Sequence, residues 1–340
     1  MPAAVPVLLA TGATVGAAYI GGAAITTAFV VKSFALNLAL TAASKALAPK
    51  PSAPGLPDQK QTITARQPNA TRKLVYGETR VGGTIVHLEA TDDDQYLHMV
   101  IVLAAHEIDS IQSVYFDDEE ITISGNDTTS PDKYDGLVKI YQVNKGTVAN
   151  IPSALISDTS WTSNHVLTDQ AYLYVRLEYS ADAFPTGLPN ISAIVRGRKV
   201  YDTRSETTAY SRNPAMILRN YLMDSTYGLG VTSAEIDEAA FIAAANLCDE
   251  SVTLDGGGTE NRYQLDGRVD TGQTPKSNIE DLLTAMNGSL YYVNGKWAVK
   301  AGAYTTPTVT LDEDDLAGGL SITTSNSARD SFNAIKGQFV

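Results

Sequence analysis

Few side chains in this sequence carry catalytic or metal-binding chemistry. Four histidines stand at positions 87, 98, 106 and 165, and one cysteine at 248. His106-Glu107 begins like a zinc-hydrolase helix motif. That motif needs a second histidine three residues after the glutamate, so that two imidazoles share a helix face, and the position holds Ser110. Three of the histidines lie in or beside expected strands and read as satisfied or half-exposed strand residues. Cys248 falls on the inward side of an expected helix and reads as a small buried hydrophobe. Gly228-Leu-Gly230 lacks the third glycine and the preceding long strand of a dinucleotide site. Phosphate-cradling loops ending in Gly-Lys-Ser/Thr and Gly-x-Ser-x-Gly elbows are absent from the sequence. Acidic residues cluster at Asp92, Asp93 and Asp94, at Asp117, Asp118, Glu119 and Glu120, and again over 312–315. None has the spaced oxygen ligands of a calcium loop, and all read as solvated turns. No catalytic, cofactor or metal site is therefore expected, and a wall-hydrolase reading finds no convergent carboxylates to support it.

The elements that carry these residues are mostly short strands. Strands are expected at 81–89, 96–105, 111–116, 120–124, 137–143, 171–179 and 191–195, with 125–136 as a loop and 144–168 irregular or weakly helical. Strand 171–179 alternates, with Tyr172, Tyr174, Arg176 and Glu178 on one face and Leu173, Val175, Leu177 and Tyr179 on the other. Leu173, Val175, Leu177, Ile191 and Ile194 suit a core or an interface, with core preferred. The pattern changes near Asn213, an N-cap before Pro214, so a helix should run to about Asp224. Thr232/Glu235 and Ser277/Glu280 are spaced as capping boxes, each expected to open a further helix. Residues 263–269 read as a strand. Asn294-Gly295 between apolar runs predicts a type I′ hairpin.

At 340 residues the chain has room for about two domains. Hydrophobic residues at 44% and charged residues at 19% exclude a disordered chain. A net charge of -13 opposes tight binding to a nucleic-acid backbone. No charged residue precedes Lys32, and the first acid is Asp58. The uncharged stretch 2–31 carries small residues four apart, Gly12 with Gly16 and Ala18 with Gly22, a spacing that lets helices pack closely. A secretory signal, a membrane anchor and an apolar helix buried against protein are the competing readings, and the buried helix is favoured. Four prolines within 48–57 make a linker. The expected division is an apolar helical arm at 1–48, a linker at 49–70, a β-rich part at 71–200, an α+β part at 201–300 and the start of a further β segment at 301–340.

Several stretches, in order, resemble one family, the tip attachment or host-specificity J-like hub proteins of long-tailed bacteriophages. They are Arg72-Lys-Leu-Val-Tyr-Gly-Glu-Thr-Arg-Val-Gly-Gly83, the run from Leu97 through His106 to Ile111, Leu188-Pro-Asn-Ile-Ser-Ala-Ile-Val-Arg-Gly-Arg-Lys-Val-Tyr-Asp202, Asn213-Pro-Ala-Met-Ile-Leu-Arg-Asn-Tyr-Leu222 with Tyr227-Gly-Leu-Gly230, Arg262-Tyr-Gln-Leu-Asp-Gly267, Asn294-Gly-Lys-Trp297, and Phe332-Asn-Ala-Ile-Lys-Gly337. The resemblance implies a mainly β protein with an α+β portion, built of tail-tube-like barrel or sandwich hub domains plus the N-terminal apolar helix. It further implies a virion structural protein at the distal end of the tail, without enzymatic activity or cofactor. Such a hub is expected to be a homotrimer touching the distal tail protein, tail tube, tape measure protein and central fibre, and to close a channel through which DNA passes unbound. Asp92, Asp93, Asp94, Asp117, Asp118 and Glu119 are then candidates to line the channel. Gly12, Gly16, Ala18 and Gly22 are candidates for packing the arm, with transient host-membrane contact through 1–48. A membrane-anchored bacterial surface β-protein and a hub or spike of a contractile injection apparatus remain the alternatives.

Overall fold

Alternating strand patterns need a second layer to cover their apolar faces, and this chain supplies it by bending one sheet over. The computed structural model describes residues 70–304 together with 306, 312 and 315. Seventeen strands and four α-helices occur among them. Nine strands form one sheet in the order β2-β10-β5-β6-β7-β8-β9-β4-β3. They comprise β2 (Glu78–Gly82), β3 (Thr84–Thr91), β4 (Tyr96–Ala104), β5 (Ser110–Phe116), β6 (Glu119–Ser124), β7 (Asp127–Ser130), β8 (Val138–Val143), β9 (Ala171–Glu178) and β10 (Ile191–Arg196). The sheet curls into a half-barrel around one core that joins Val81, Val114 and Val195 from one end to Met99, Ile140 and Val175 from the other. The corner is β6, whose Val114↔Ile121 end pairs with β5 and whose Ile123↔Thr128 end pairs with β7 across a register shift.

Strand β9 is buried on both faces. Leu173, Val175 and Leu177 enter the half-barrel core, whereas Tyr172 and Tyr174 point outward under a second apolar cluster. That cluster is closed by Ile151, by Leu155 of helix α1 (Ser153–Asp158) and by Trp161. Ile191 is also core, and Ile194 is half-buried on the opposite face.

A second core belongs to helices α2 (Pro214–Met223), α3 (Glu238–Cys248) and α4 (Pro275–Thr284), packed with β1 (Lys73–Tyr76), β15 (Gly267–Asp270) and the hairpin β16 (Ser289–Val293) and β17 (Lys296–Lys300). Ile217, Leu218, Tyr221, Phe241 and Met286 are fully buried there. Two further hairpins complete the described elements, β11 (Lys199–Asp202) with β12 (Thr207–Tyr210), and β13 (Ser251–Thr253) with β14 (Thr259–Asn261). Both cores lie in the compact unit that ends at Gly302; in the separate unit from Ala303 on, Asp312 N–H donates to Asp315 Oδ2 at 3.1 Å.

Several expectations change. The run 81–89 is two strands at opposite ends of the sheet, divided at Gly83, where a Cβ would sit 2.1 Å from Ile101 Cγ2. The loop expected at 125–136 contains β7, because Asp127 and Thr128 find ladder partners in β6 and β8. The strand expected at 263–269 pairs only from Gly267 onward. The Thr232/Glu235 capping box is formed, yet it closes a single 3₁₀ turn; α3 opens later, capped by Asp237 Oδ1 accepting from Ala240 N–H at 3.2 Å. Ser277 lies inside α4, whose cap is Thr274 Oγ1. The Asn294-Gly295 turn forms as expected, with φ of 53° and 78°. The apolar arm at 1–48, with Gly12, Gly16, Ala18 and Gly22, and most of the β segment expected at 301–340 lie outside the described residues. No helix among the described residues is long and apolar enough to cross a membrane.

Asn213 serves both helices of the second core. Its Oδ1 accepts from Ala215 and Met216 N–H at 3.1 and 3.3 Å, and its Nδ2 donates to Ala245 O of α3 at 2.9 Å. Asn213→Ala is expected to cost about 1–2 kcal/mol, and Asn213→Asp, which keeps only the cap, should cost less. Urea midpoints of the two variants check the order.

Candidate functional site

The two cores are joined through β1, whose side chains alternate between them. Val75 enters the half-barrel core, while Leu74 and Tyr76 enter the helical one. One backbone edge of β1 pairs with β15. The other edge meets the ends of β4 and β10: Ala105 N–H donates to Lys73 O at 2.9 Å, and Arg198 N–H to Val75 O at 2.8 Å. His106 completes that edge. Its Nε2 accepts from Val75 N–H at 2.9 Å and its Nδ1 lies 2.7 Å from Glu107 O, so the ring is neutral with the proton on Nδ1. Burial pushes its pKa down to about 4.

Beside this junction lies a polar cleft of about 510 Å³, lined among others by His106, Glu107, Lys145, Asp169, Arg198 and Asp224. Its charges pair with one another. Lys145 Nζ lies 2.8 Å from Glu107 and 3.4 Å from Asp169, and Lys199 Nζ is 3.6 Å from Glu107. Arg198 bonds Asp224 across the cleft. Burial raises the Asp224 carboxyl, but the Arg198 guanidinium and the N–H groups of Tyr227 and Thr226 outweigh it and hold the pKa below the usual carboxylate range. The hydrogen bond from Lys145 likewise lowers Glu107. This arrangement ties the two halves together and leaves no side chain poised as nucleophile or general base. Cys248 is buried, with its thiol pushed up to about 11 by desolvation, a setting opposite to that of a reactive thiolate.

The remaining histidines are also held by neighbours. His98 is buried between Thr91 Oγ1 and Tyr174 OH, each at 2.8 Å, and burial lowers its pKa. His87 faces Glu89 at 3.2 Å and meets Trp161 edge-on, and His165 lies 3.0 Å from Thr162 Oγ1. Among the described residues no group of three His, Cys, Asp or Glu side chains is placed to hold a metal ion.

The acidic candidates occupy two turns with different electrostatics. Asp92, Asp93 and Asp94 form the β3–β4 turn, each with positive φ, and make no ion pair among the described residues. Asp117, Asp118 and Glu119 form the β5–β6 turn, where Asp118 and Glu119 are paired with cations and the Asp117 carboxylate accepts from Asn190 N–H at 3.0 Å. Arg80 donates to Asp117 O at 2.7 Å and lies 3.0 Å from Asp118, and Lys133 lies 2.6 Å from Glu119. Tyr179 N–H bonds Gln95 O, Glu178 N–H bonds Leu137 O, and Phe116 packs on Tyr134; these contacts bring both turns to the same end of the half-barrel. Sequence reasoning found the acids but missed Arg80 and Lys133, which are distant along the chain.

The fold is thus a mainly β one whose junction is braced by paired charges. No protein-family profile matches the chain. In sequence it is similar to the tip attachment protein J of Escherichia phage SECphi27, 29% identical over 139 residues, a match covering 36% of this chain and 12% of that protein. The similarity relates the chain to phage tail proteins, and the chain spans a small fraction of the relative's length. A chain from the virion of a native gene transfer agent particle overlaps 86% of this chain and 69% of its own at 15% identity, with a TM-score of 0.42 that carries no argument.

His106 gives the junction a pH dependence. Between about pH 6.5 and 4 the unfolded chain takes up a proton that folded His106 refuses, so stability is complete above that window and falls as pH drops through it. About 2 kcal/mol of the stability lost between pH 7 and pH 5 should disappear from the pH dependence of His106→Gln. Urea unfolding of both proteins at the two pH values measures it; equal losses would show that the imidazole is not the group responsible.

Proposed function

We propose that this chain is a structural protein of a bacteriophage tail, the hub of its distal tip. The observation that carries the reading is the sequence match to a tip attachment protein. It agrees with the ordered motifs from Arg72 to Trp297 and with a half-barrel whose polar side chains brace the fold. In this reading the chain assembles as a homotrimer between the tail tube with its distal tail protein and the central fibre. It meets the end of the tape measure protein and keeps the channel shut until ejection. Residues 1–48 would pack inside that assembly or touch the host membrane. The division into a β-rich part at 71–200 and an α+β part at 201–300 would give each subunit two hub modules.

The two acidic turns acquire different roles. Asp92, Asp93 and Asp94, without compensating cations, suit a channel wall that repels phosphates, whereas Asp118 and Glu119 are paired with Arg80 and Lys133.

Immunogold labelling of purified tailed particles, with antibodies raised against residues 70–302, should place the label at the distal end of the tail. Label on the head or along the tube, or particles devoid of the chain, would rule the reading out. Particles carrying Asp92→Asn, Asp93→Asn and Asp94→Asn together should assemble normally, since asparagine also tolerates positive φ, but release their DNA more slowly. Unchanged release in a triggered-ejection assay would remove that turn from the channel wall.

A further inference from the structure

In an asparagine followed by glycine the side-chain carboxamide is open to attack by the next backbone nitrogen, because glycine carries no Cβ to crowd the approach. The sequence holds two such pairs, Asn287-Gly288 and Asn294-Gly295. Both asparagines are exposed and both have positive φ, 46° and 53°, yet their surroundings differ. Asn287 follows α4, and the Gly288 N–H donates to Leu283 O at 2.9 Å. Beside it Gly302 N–H donates to Met286 O at 2.9 Å, and Met286 is fully buried. Gly302 packs so closely that a Cβ there would sit 2.8 Å from Asn287 Nδ2. Asn294 stands in the turn between β16 and β17. The Gly295 N–H makes no hydrogen bond among the described residues, and a Cβ on Gly295 would meet nothing within 4 Å. The turn is closed by the Val293↔Lys296 pair, and Val293 is 50% exposed.

We infer that Asn294 is a site of spontaneous covalent modification, deamidation through a succinimide, and that the fold protects Asn287 from the same reaction. When the turn frays, the Gly295 nitrogen gives its proton to hydroxide and attacks Asn294 Cγ. A bond from that nitrogen to Cγ forms, the Cγ–Nδ2 bond breaks, and the nitrogen that leaves takes a proton from water to become ammonia. Water then adds to one of the two ring carbonyls and opens the ring. Opening at Cγ gives aspartate, and opening at the backbone carbonyl gives isoaspartate. One water is consumed, one ammonia is released, and no electrons are exchanged. Isoaspartate routes the backbone through the side chain and adds a methylene to a two-residue turn, which the type I′ geometry does not accommodate. The hairpin so loosened is the one whose Trp297 carbonyl accepts from Asp237 N–H at 2.8 Å, at the start of α3. This inference does not depend on the tail-tip reading.

The full chain is incubated in mildly alkaline buffer, and samples taken over time are digested and mapped by mass spectrometry. In the folded chain Asn294 should deamidate at least about tenfold faster than Asn287, since freeing Gly288 breaks hydrogen bonds that Gly295 never makes. In chain kept unfolded by guanidinium chloride the two sites should react at similar rates, because only the dipeptide then matters. Similar rates in the folded chain, faster reaction at Asn287, or a folded chain that stays unmodified at both sites while the unfolded one reacts would overturn the inference. Amide hydrogen exchange reads the effect on the hairpin. Exchange across 289–300 should quicken in the aged chain but not in Asn294→Asp, because aspartate tolerates positive φ and leaves the backbone its ordinary length. Equal exchange in the two would show that the turn absorbs the modification and would overturn the loosening.

Discussion

Everything in this fold is hung on a strand of four residues. β1 lies in a two-stranded sheet with β15, yet each of its two backbone edges and each of its two faces belongs to a different half of the molecule. Because successive side chains in a strand point to opposite faces, Leu74, Val75 and Tyr76 necessarily enter different cores once the backbone is seated. Seating it requires every N–H and C=O along it to find a partner, since a buried orphan costs about 1–3 kcal/mol. The Val75 N–H finds its partner in an imidazole rather than a carbonyl. A histidine there serves only while it is neutral, so burial and function of that ring are the same requirement.

The charged residues follow from the same constraint. Where the two halves meet, Arg198 with Asp224, Lys145 with Glu107 and Asp169, and Arg212 with Asp266 form ties across the gap between elements. The exposed ones among these pairs contribute little each, but together with the buried Arg198–Asp224 pair they fix orientation. Tyr76 OH donating to Asn220 at 3.1 Å adds a neutral tie at the same place. The acidic turn at Asp92, Asp93 and Asp94 differs in that three consecutive carboxylates stand at one turn without an ion pair among the described residues.

Much of this was legible in sequence wherever the signal was local. Asn213-Pro214 announced α2, Asn294-Gly295 announced the last hairpin, and the alternation along 171–179 announced β9. What was hidden depended on partners far along the chain. β7 reads as a loop because Gly125, Asn126 and Pro131 surround it, and only its neighbours make it a strand. The Thr232/Glu235 box has the right spacing, but the chain straightens at Ile236 to meet Trp297, so the helix starts after it. The roles of His106, Arg80 and Lys133 are set by contacts that no spacing rule encodes. The acidic turns themselves were readable, since runs of aspartate tolerate positive φ.

The placement of β2 and β3 carries a temporal consequence. They are neighbours in the chain, divided at Gly83, but they close opposite ends of the sheet, and the Glu78–Arg196 contact on β2 spans 118 residues. During synthesis from the N-terminus, β2 must wait, unpaired and partly apolar, until β10 has emerged, and β1 waits longer still for β15. Such late loop closures slow acquisition of the native state and expose sticky edges meanwhile. The nascent half-barrel therefore keeps its β2 edge strand unpaired until β10 arrives, and truncation before Ile191 leaves β2 without its partner.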